Sequence, residues 1–369
     1  MSAGCSGSAG CSGSAGCSGS AGCSGSAGQL TFAAARAAQA ENLAAAITEV
    51  TGTVGALAAG GRLALPGPIF TGIGASLAAA CAPVWSLRSR SIHSWRLGAG
   101  DQPLPFPPTV HPVVGVSQSG RSAETLALLE SVPGSLRYAV VNAAPSPIAE
   151  VATTVIGLGN RPDSYASTVG YTATVAALGI LADAWDGGVI DPSWADLALL
   201  FSDTERVLTG PVTELASLFD GVTSADFIGA GPSVGSAEAA ALLFREAVRL
   251  PSAGIGTRQY LHGSMESAGN SVHVLFGGAR EAEVAGTLAA AGHRAILVTS
   301  DPSLGGGPAA VPGVAVVLLP DTTEAQLAIL EVLTMQILVA AVAGRRGVDI
   351  EDFVFHNSDT KVPASESVA

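Results

Sequence analysis

A hydroxyl-rich hexapeptide, Ser117-Gln118-Ser119-Gly120-Arg121-Ser122, separates the apolar run HPVVGV (His111–Val116) from the helix-forming AETLALLESV. A helix that starts just beyond a strand offers unpaired N–H groups and the positive end of its dipole, which suits a phosphate. Ser117, Ser119 and Ser122 add hydroxyl donors, Gln118 adds an amide, and Gly120 lets backbone approach a ligand closely. The plainer alternative, a serine capping the helix, needs one hydroxyl and not three. Ser76, in GIGAS (Gly72–Ser76), is a further candidate donor, although a glycine turn after a strand is common.

Acid–base candidates cluster later in the chain. Glu246 sits in LLFREAVRL, on a helix with apolar neighbours. A carboxylate in such surroundings binds its proton more tightly and suits a general base near neutral pH. The alternative is a solvated Glu beside Arg245 and Arg249. His262, in QYLHGSMES, occupies a polar loop with a glycine and fits catalysis better than His93, His111, His273 or His293, which read as structural or surface residues. Of 17 basic residues, Lys361 is the only lysine, so 16 are arginine. Codon bias in a GC-rich genome explains the arginines and leaves one amine able to deprotonate or form a Schiff base.

The elements that must position these groups alternate in type. PIFTGIG (Pro68–Gly74), VHPVVGV, RYAVV and TVIGLGN read as short apolar strands, each followed by a turn and a helical segment. That alternation predicts βαβ units and a parallel sheet. The apolar helix STVGYTATVAALGILADAWDGG closes this half near residue 190. The pattern then restarts with a helix over Trp194–Leu218 and the strand ADFIGAG (Ala225–Gly231). The helix SAEAAALLFREAVRL follows, then strands SVHVLFGG, RAILVTS and GVAVVLLP. GAGPS (Gly229–Ser233) in the second copy matches GIGAS in the first. The expected architecture is two tandem doubly wound, flavodoxin-like α/β domains, over 29–195 and 203–345, with a C-terminal tail over 346–369. Residues 1–28, a Gly/Ser/Cys repeat of SAGCSG, carry Cys5, Cys11, Cys17 and Cys23 and are expected to be disordered, because such a composition buries no core.

Bulk composition narrows the partners. The 369 residues are 48% hydrophobic and only 13% charged, enough for two ordinary domains with large cores. A net charge of −13 argues against nucleic acid, whose phosphates need a basic face, but permits a small anion held by backbone N–H groups. No metal-ligand spacing occurs, and the cysteine repeat matches no zinc signature, so no metal or cofactor is expected. Nucleophile-elbow, P-loop and dinucleotide fingerprints are missing. No signal peptide is read at the start, and LTMQILVAAVA (Leu333–Ala343) is too short for a membrane span, so a soluble cytoplasmic protein is expected.

The strand–SQSGRS–helix element resembles the SQSGET phosphate loop of sugar isomerase (SIS) domains. Two such domains in tandem resemble the isomerase half of glutamine–fructose-6-phosphate aminotransferase and related glucosamine-6-phosphate deaminases, over roughly residues 30–365. The resemblance implies that Ser117, Gln118, Ser119 and Ser122 bind the sugar phosphate. It places Ser76 on the serine of the family's CGTS motif and Ser167, in YASTVG (Tyr165–Gly170), on a substrate contact. It further implies that Glu246 is the isomerisation base, that His262 opens the sugar ring from the neighbouring subunit of a homodimer, and that Lys361 contacts the sugar. Here HGS replaces HGP, Leu243 stands where the family has a lysine, and no glutaminase domain is read. The expected activity is conversion of glucosamine 6-phosphate to fructose 6-phosphate and ammonia. A non-catalytic sugar-phosphate sensor and an aminotransferase subunit fed by a separate glutaminase are the alternatives.

Overall fold

The computed structural model describes residues 30–304, 311–355 and 357–363, and the cysteine repeat lies outside the described residues. Helices α1 (Phe32–Ala37) and α2 (Gln39–Ala59) lead into β1 (Ile69–Gly72), α3 (Ala75–Ala79), α4 (Cys81–Ser89) and β2 (Trp95–Gly98). Next come β3 (Val113–Ser117), α5 (Ala123–Glu130), β4 (Arg137–Val141), α6 (Pro147–Val151), β5 (Thr154–Gly157) and α7 (Val169–Ala184). All pairings in this first sheet are parallel and its order is β2-β1-β3-β4-β5.

The second half repeats the plan. It runs through α8 (Leu197–Glu214), β6 (Ser224–Gly229), α9 (Ser233–Val248), β7 (Ser252–Gly256), α10 (Thr257–Leu261) and β8 (Ser271–Phe276). It continues with α11 (Ala279–Ala290), β9 (Arg294–Thr299), β10 (Val314–Leu318) and α12 (Glu324–Arg346). The order β10-β9-β8-β6-β7 is the first sheet's order in equivalent strands, again all parallel. Both sheets therefore have the flavodoxin-like arrangement, with a switch point between the first and third strands of each copy.

Strand sequences explain the layering. Alternate residues of β1, β3 and β4 divide between two clusters: Phe70, Val114 and Val140 face α2 and α7, whereas Ile69, Val113 and Ala139 face α5 and α6. Burial on both faces gives the near-continuous apolar runs read in the sequence. The second sheet divides likewise, with Phe227 and Val274 inward and Ile228 and Leu275 toward α10 and α11. The inward clusters of both sheets merge into one core, built on helices apolar all round. In α7 every residue except Asp183 is buried. α12 spans 23 residues, longer than its apolar run suggests, and is long and apolar enough to cross a membrane, but 78% of its most apolar window is buried in the protein.

Two strands left no mark in the sequence. β2 (WRLG) and β7 (SAGIG) are short sheet edges with partly exposed residues, so neither produces an apolar run. α9 also begins earlier than its alanine-rich stretch suggests, at Ser233.

One carboxyl group lies inside the merged core. Glu331 of α12 is 1% exposed and accepts a hydrogen bond from the Ser233 hydroxyl at 2.8 Å. Burial pushes its pKa up to about 7, against the opposing pull of the Ser236 and Ser233 hydroxyls. In the unfolded chain this acid ionises at the ordinary value of 4.5. Between that pH and about 7 the folded chain holds a proton that the unfolded chain has lost, so stability falls as pH rises. The loss is on the order of 3 kcal/mol. Wild type should therefore melt higher at pH 5 than at pH 8 in buffered thermal melts, and Glu331→Gln should lessen that dependence. An unchanged pH profile in the variant would assign the dependence elsewhere.

Candidate functional site

At the first sheet's switch point, the carboxyl ends of β1 and β3 carry the two serine turns. Ser117 ends β3, is buried, and lies with its Oγ 3.4 Å from Oγ of Ser122. Backbone bonds hold the loop open: the Ala143 N–H donates to Gln118 O at 3.1 Å and the Ile148 N–H to Gly120 O at 3.0 Å. Gly120 has φ +62°, and a Cβ there would sit 2.0 Å from Ser146 Oγ, so only glycine fits. Ser122 occupies the N-cap position of α5, yet its hydroxyl makes no capping bond. Its one partner is the Ser117 hydroxyl, a long bond that a ligand can replace, and among the described residues nothing fixes the hydroxyl of Ser119. Ser76 stands half-buried in α3, directly after β1. Its turn packs on the helix that carries Glu246: a Cβ at Gly74 would lie 3.4 Å from Leu242, one helical turn before that residue.

Asp163, which the sequence reading passed over, organises the neighbouring loop. Its carboxylate accepts from the Ser167 hydroxyl (2.8 Å), the Thr168 hydroxyl (2.6 Å), the Thr168 N–H (3.0 Å) and the Gly170 N–H (2.9 Å). A longer bond of 3.4 Å reaches it from Gln118 Nε2. One side chain thus satisfies the start of α7 and orients two candidate ligand donors. An acidic residue shortly before a helical run is a start signal. Nothing local distinguishes it from a solvated loop carboxylate.

The C-terminal tail joins these loops to Glu246. After α12 the Glu351 carboxylate accepts from the Phe32 N–H at 2.7 Å, and Asp352 pairs with Arg249 at 2.8 Å. Phe353 lies against the Tyr165 ring, with centroids 3.9 Å apart. Farther on, Thr360 O accepts from the Ala123 N–H at 3.2 Å, and the Val362 N–H donates to Arg121 O at 3.0 Å. Arg121 Nε in turn donates to Val362 O at 2.8 Å. Lys361 is thereby bridged antiparallel to Ser122, with Nζ 6.0 Å from the Tyr165 centroid. One N–H at the start of α5, expected to be unpaired, is thus taken by the tail.

Glu246 lines a cavity of about 400 Å³ whose other walls include Arg245, Arg249, Leu250 and tail residues Phe353 and Phe355. Its arginine neighbours are engaged elsewhere, Arg245 with Ser252 O at 2.6 Å and Arg249 with Asp352. Among the described residues no ion pair includes Glu246, and burial alone pushes its carboxyl up to about 7. Glu246 is thus half-buried in the cavity wall beside both arginines. His262 is placed differently. It is exposed beyond α10, lines neither this cavity nor the serine loops, and is hydrogen-bonded to none of the other candidates. Contacts thus join Ser117–Ser122, Ser167 and Lys361, and the tail runs from them to the cavity that Glu246 lines, whereas among the described residues no hydrogen bond or shared cavity ties His262 to them. Among the described residues, no group of three or more His, Cys, Asp or Glu side chains could hold a metal ion.

No protein-family model and no curated protein sequence matches the chain. Solved structures do. The C-terminal domain of glucosamine-fructose-6-phosphate aminotransferase from Francisella tularensis superposes with a TM-score of 0.73 at 17% identity, covering 86% of this chain and 96% of that one. Tagatose-6-phosphate ketose/aldose isomerase from Escherichia coli matches with a TM-score of 0.69 at 15% identity, over 89% and 96% of the two chains. Glucosamine-6-phosphate deaminase from Thermotoga maritima matches with a TM-score of 0.65 at 16% identity, over 88% and 99%. At these identities the likeness is one of fold. The tandem α/β arrangement read from the sequence is the arrangement these proteins share.

Proposed function

We propose that the chain is a sugar-phosphate isomerase/deaminase that converts glucosamine 6-phosphate to fructose 6-phosphate and ammonia. The observation that carries this reading is the tail, which runs from the Glu246 cavity to the serine loop and brings the lone lysine beside Ser122. In this reading residues 29–195 and 203–345 are the two domains, and residues 346–369 complete the site. Hydroxyls of Ser117, Ser119 and Ser122, with the Gln118 amide, receive the phosphate at the start of α5. Ser76 and Ser167 contact the sugar, and Lys361 steadies the open-chain carbonyl region.

The chemistry then needs one proton carried between two carbons, while an N–H proton passes to the C1 oxygen. Glu246 removes the proton on C2 of the open-chain amino aldose, leaving an enolamine, and returns it to C1. The resulting C2 imine takes up water and expels ammonia, which yields the ketose. A carboxyl group titrating near 7 can both take and give that proton at neutral pH. His262, exposed and apart within its own chain, opens the ring of a substrate bound to a neighbouring copy, which makes the working form a homodimer. Leu243 puts an alkyl side chain where the resembling family has an amine, so water rather than an amino donor completes the reaction. The setting is soluble and cytoplasmic.

Ammonia and fructose 6-phosphate released from glucosamine 6-phosphate by the purified full chain, each measured by a coupled assay, tests the proposal. Stabilisation by the sugar phosphate without either product would point instead to a sensor. Synthesis only after a glutaminase chain is added would point to an aminotransferase subunit.

A further inference from the structure

Two copies of one layout, packed through a shared helical core, leave two crevices. In the first copy the turn after β1 rests on α9 through Gly74 and Leu242. In the second, the turn after β6 rests on α4: a Cβ at Gly231 would lie 3.3 Å from the Trp85 indole. Each turn stands at the carboxyl end of its sheet, where open α/β sheets hold ligands. The first crevice adjoins the site described above. The second is a separate cavity of about 330 Å³, lined by Cys81, Trp85, Arg88, Trp95, Arg96 and Gly231 among others, and the proposed reaction does not use it.

Its lining has a definite chemistry. Trp85 is 45% and Trp95 36% exposed, large rings left open in a protein whose other two tryptophans, Trp185 and Trp194, are buried. Trp95 is held in place by His93, stacked at 6.2 Å, and by His111, edge-on at 5.0 Å. Arg96 is bidentate with Glu238 at 2.5 and 2.7 Å, so its charge is already matched. Arg88 differs: its Nε donates to Ser94 O at 2.8 Å, which orients the guanidinium, and among the described residues no carboxylate pairs with it. The Cys81 thiol is pushed up to about 12 by burial, so the cavity holds no activated nucleophile.

One unmatched guanidinium beside two indole faces fits one anionic group on a compact ring. The guanidinium fork binds phosphate oxygens, and an indole accepts either a planar base or the apolar face of a sugar. The volume lies within the range of small-ligand pockets. We infer that this second crevice is a binding site for a ring-bearing monophosphate, independent of the Ser117–Ser122 loop.

Trp85 and Trp95 are the two tryptophans open to solvent, so a ligand seated in the crevice should quench their share of the indole fluorescence. Full-length protein titrated with adenosine monophosphate and, separately, with fructose 6-phosphate should show saturable quenching by at least one of them. Quenching by the nucleotide alone would identify a planar base as the ring, and by the sugar alone a pyranose or furanose. Arg88→Ala should weaken that binding by roughly tenfold or more, whereas Arg88→Lys should keep part of it. Ser119→Ala should leave the quenching unchanged, and Arg88→Ala should leave turnover of glucosamine 6-phosphate unchanged, so the two sites fail separately. No quenching by either compound, or quenching indifferent to Arg88→Ala, overturns the inference. So does an Arg88→Ala effect that tracks only a change in self-association during sedimentation.

Discussion

Glu246→Gln is expected to lower kcat on glucosamine 6-phosphate by about a thousandfold, within the span usual for loss of a general base. KM should move by no more than about threefold, since the amide keeps the shape and loses only the basicity. The reason lies in the cavity wall: Glu246 is half-buried there, and its two arginine neighbours are tied to Ser252 O and Asp352. Desolvation with no compensating cation raises the carboxyl to about 7. A base works only when ionised, so wild-type kcat/KM should drop tenfold per pH unit below about 7 and level off above it. Glu246→Asp, which keeps the group but withdraws it, should retain a measurable fraction of the rate. A glutamine variant with wild-type kcat would remove Glu246 from the mechanism.

The second large effect is expected at Asp163, through the architecture rather than the chemistry. Asp163→Ala leaves the Thr168 and Gly170 N–H groups without their acceptor, in a segment where both residues are buried. An orphaned buried donor costs about 1–3 kcal/mol, so a loss of roughly 3 kcal/mol in stability is expected. For a chain of this size that is a fall in Tm of about 5 °C. Substrate binding should suffer as well, because Ser167 and Gln118 lose the partner that aims them, and KM should rise roughly tenfold or more. Asp163→Asn, which keeps one carbonyl oxygen, should recover part of both losses. Equal melting and equal KM in wild type and Asp163→Ala would mean that the hub is dispensable.

Legibility differed from residue to residue. The SQSGRS loop could be read because its signal is contiguous: a strand of valines, a polar glycine turn and a helix start within about a dozen residues. The doubly wound repeat was readable for the same reason, since strands buried on both faces spell apolar runs. The edge strands β2 and β7 were not, because an edge needs no such run. Asp163 escaped because its partners are backbone N–H groups, which have no letter of their own in a sequence.

What the sequence determined by itself is the order of elements, the repetition of one α/β layout and the residue types offered at each turn. These follow from short-range periodicity and turn chemistry. What only the tertiary structure decided is which of those residues meet, and in what medium. Glu246 shares a cavity with aromatic residues of the tail, more than a hundred positions away in the chain. Lys361 reaches Ser122 because the tail adds a short antiparallel bridge there. Trp85 and Arg88 share a crevice with Gly231 because the two halves pack through one core. Desolvation and proximity are properties of three-dimensional neighbourhoods, and chain separation carries almost no information about either.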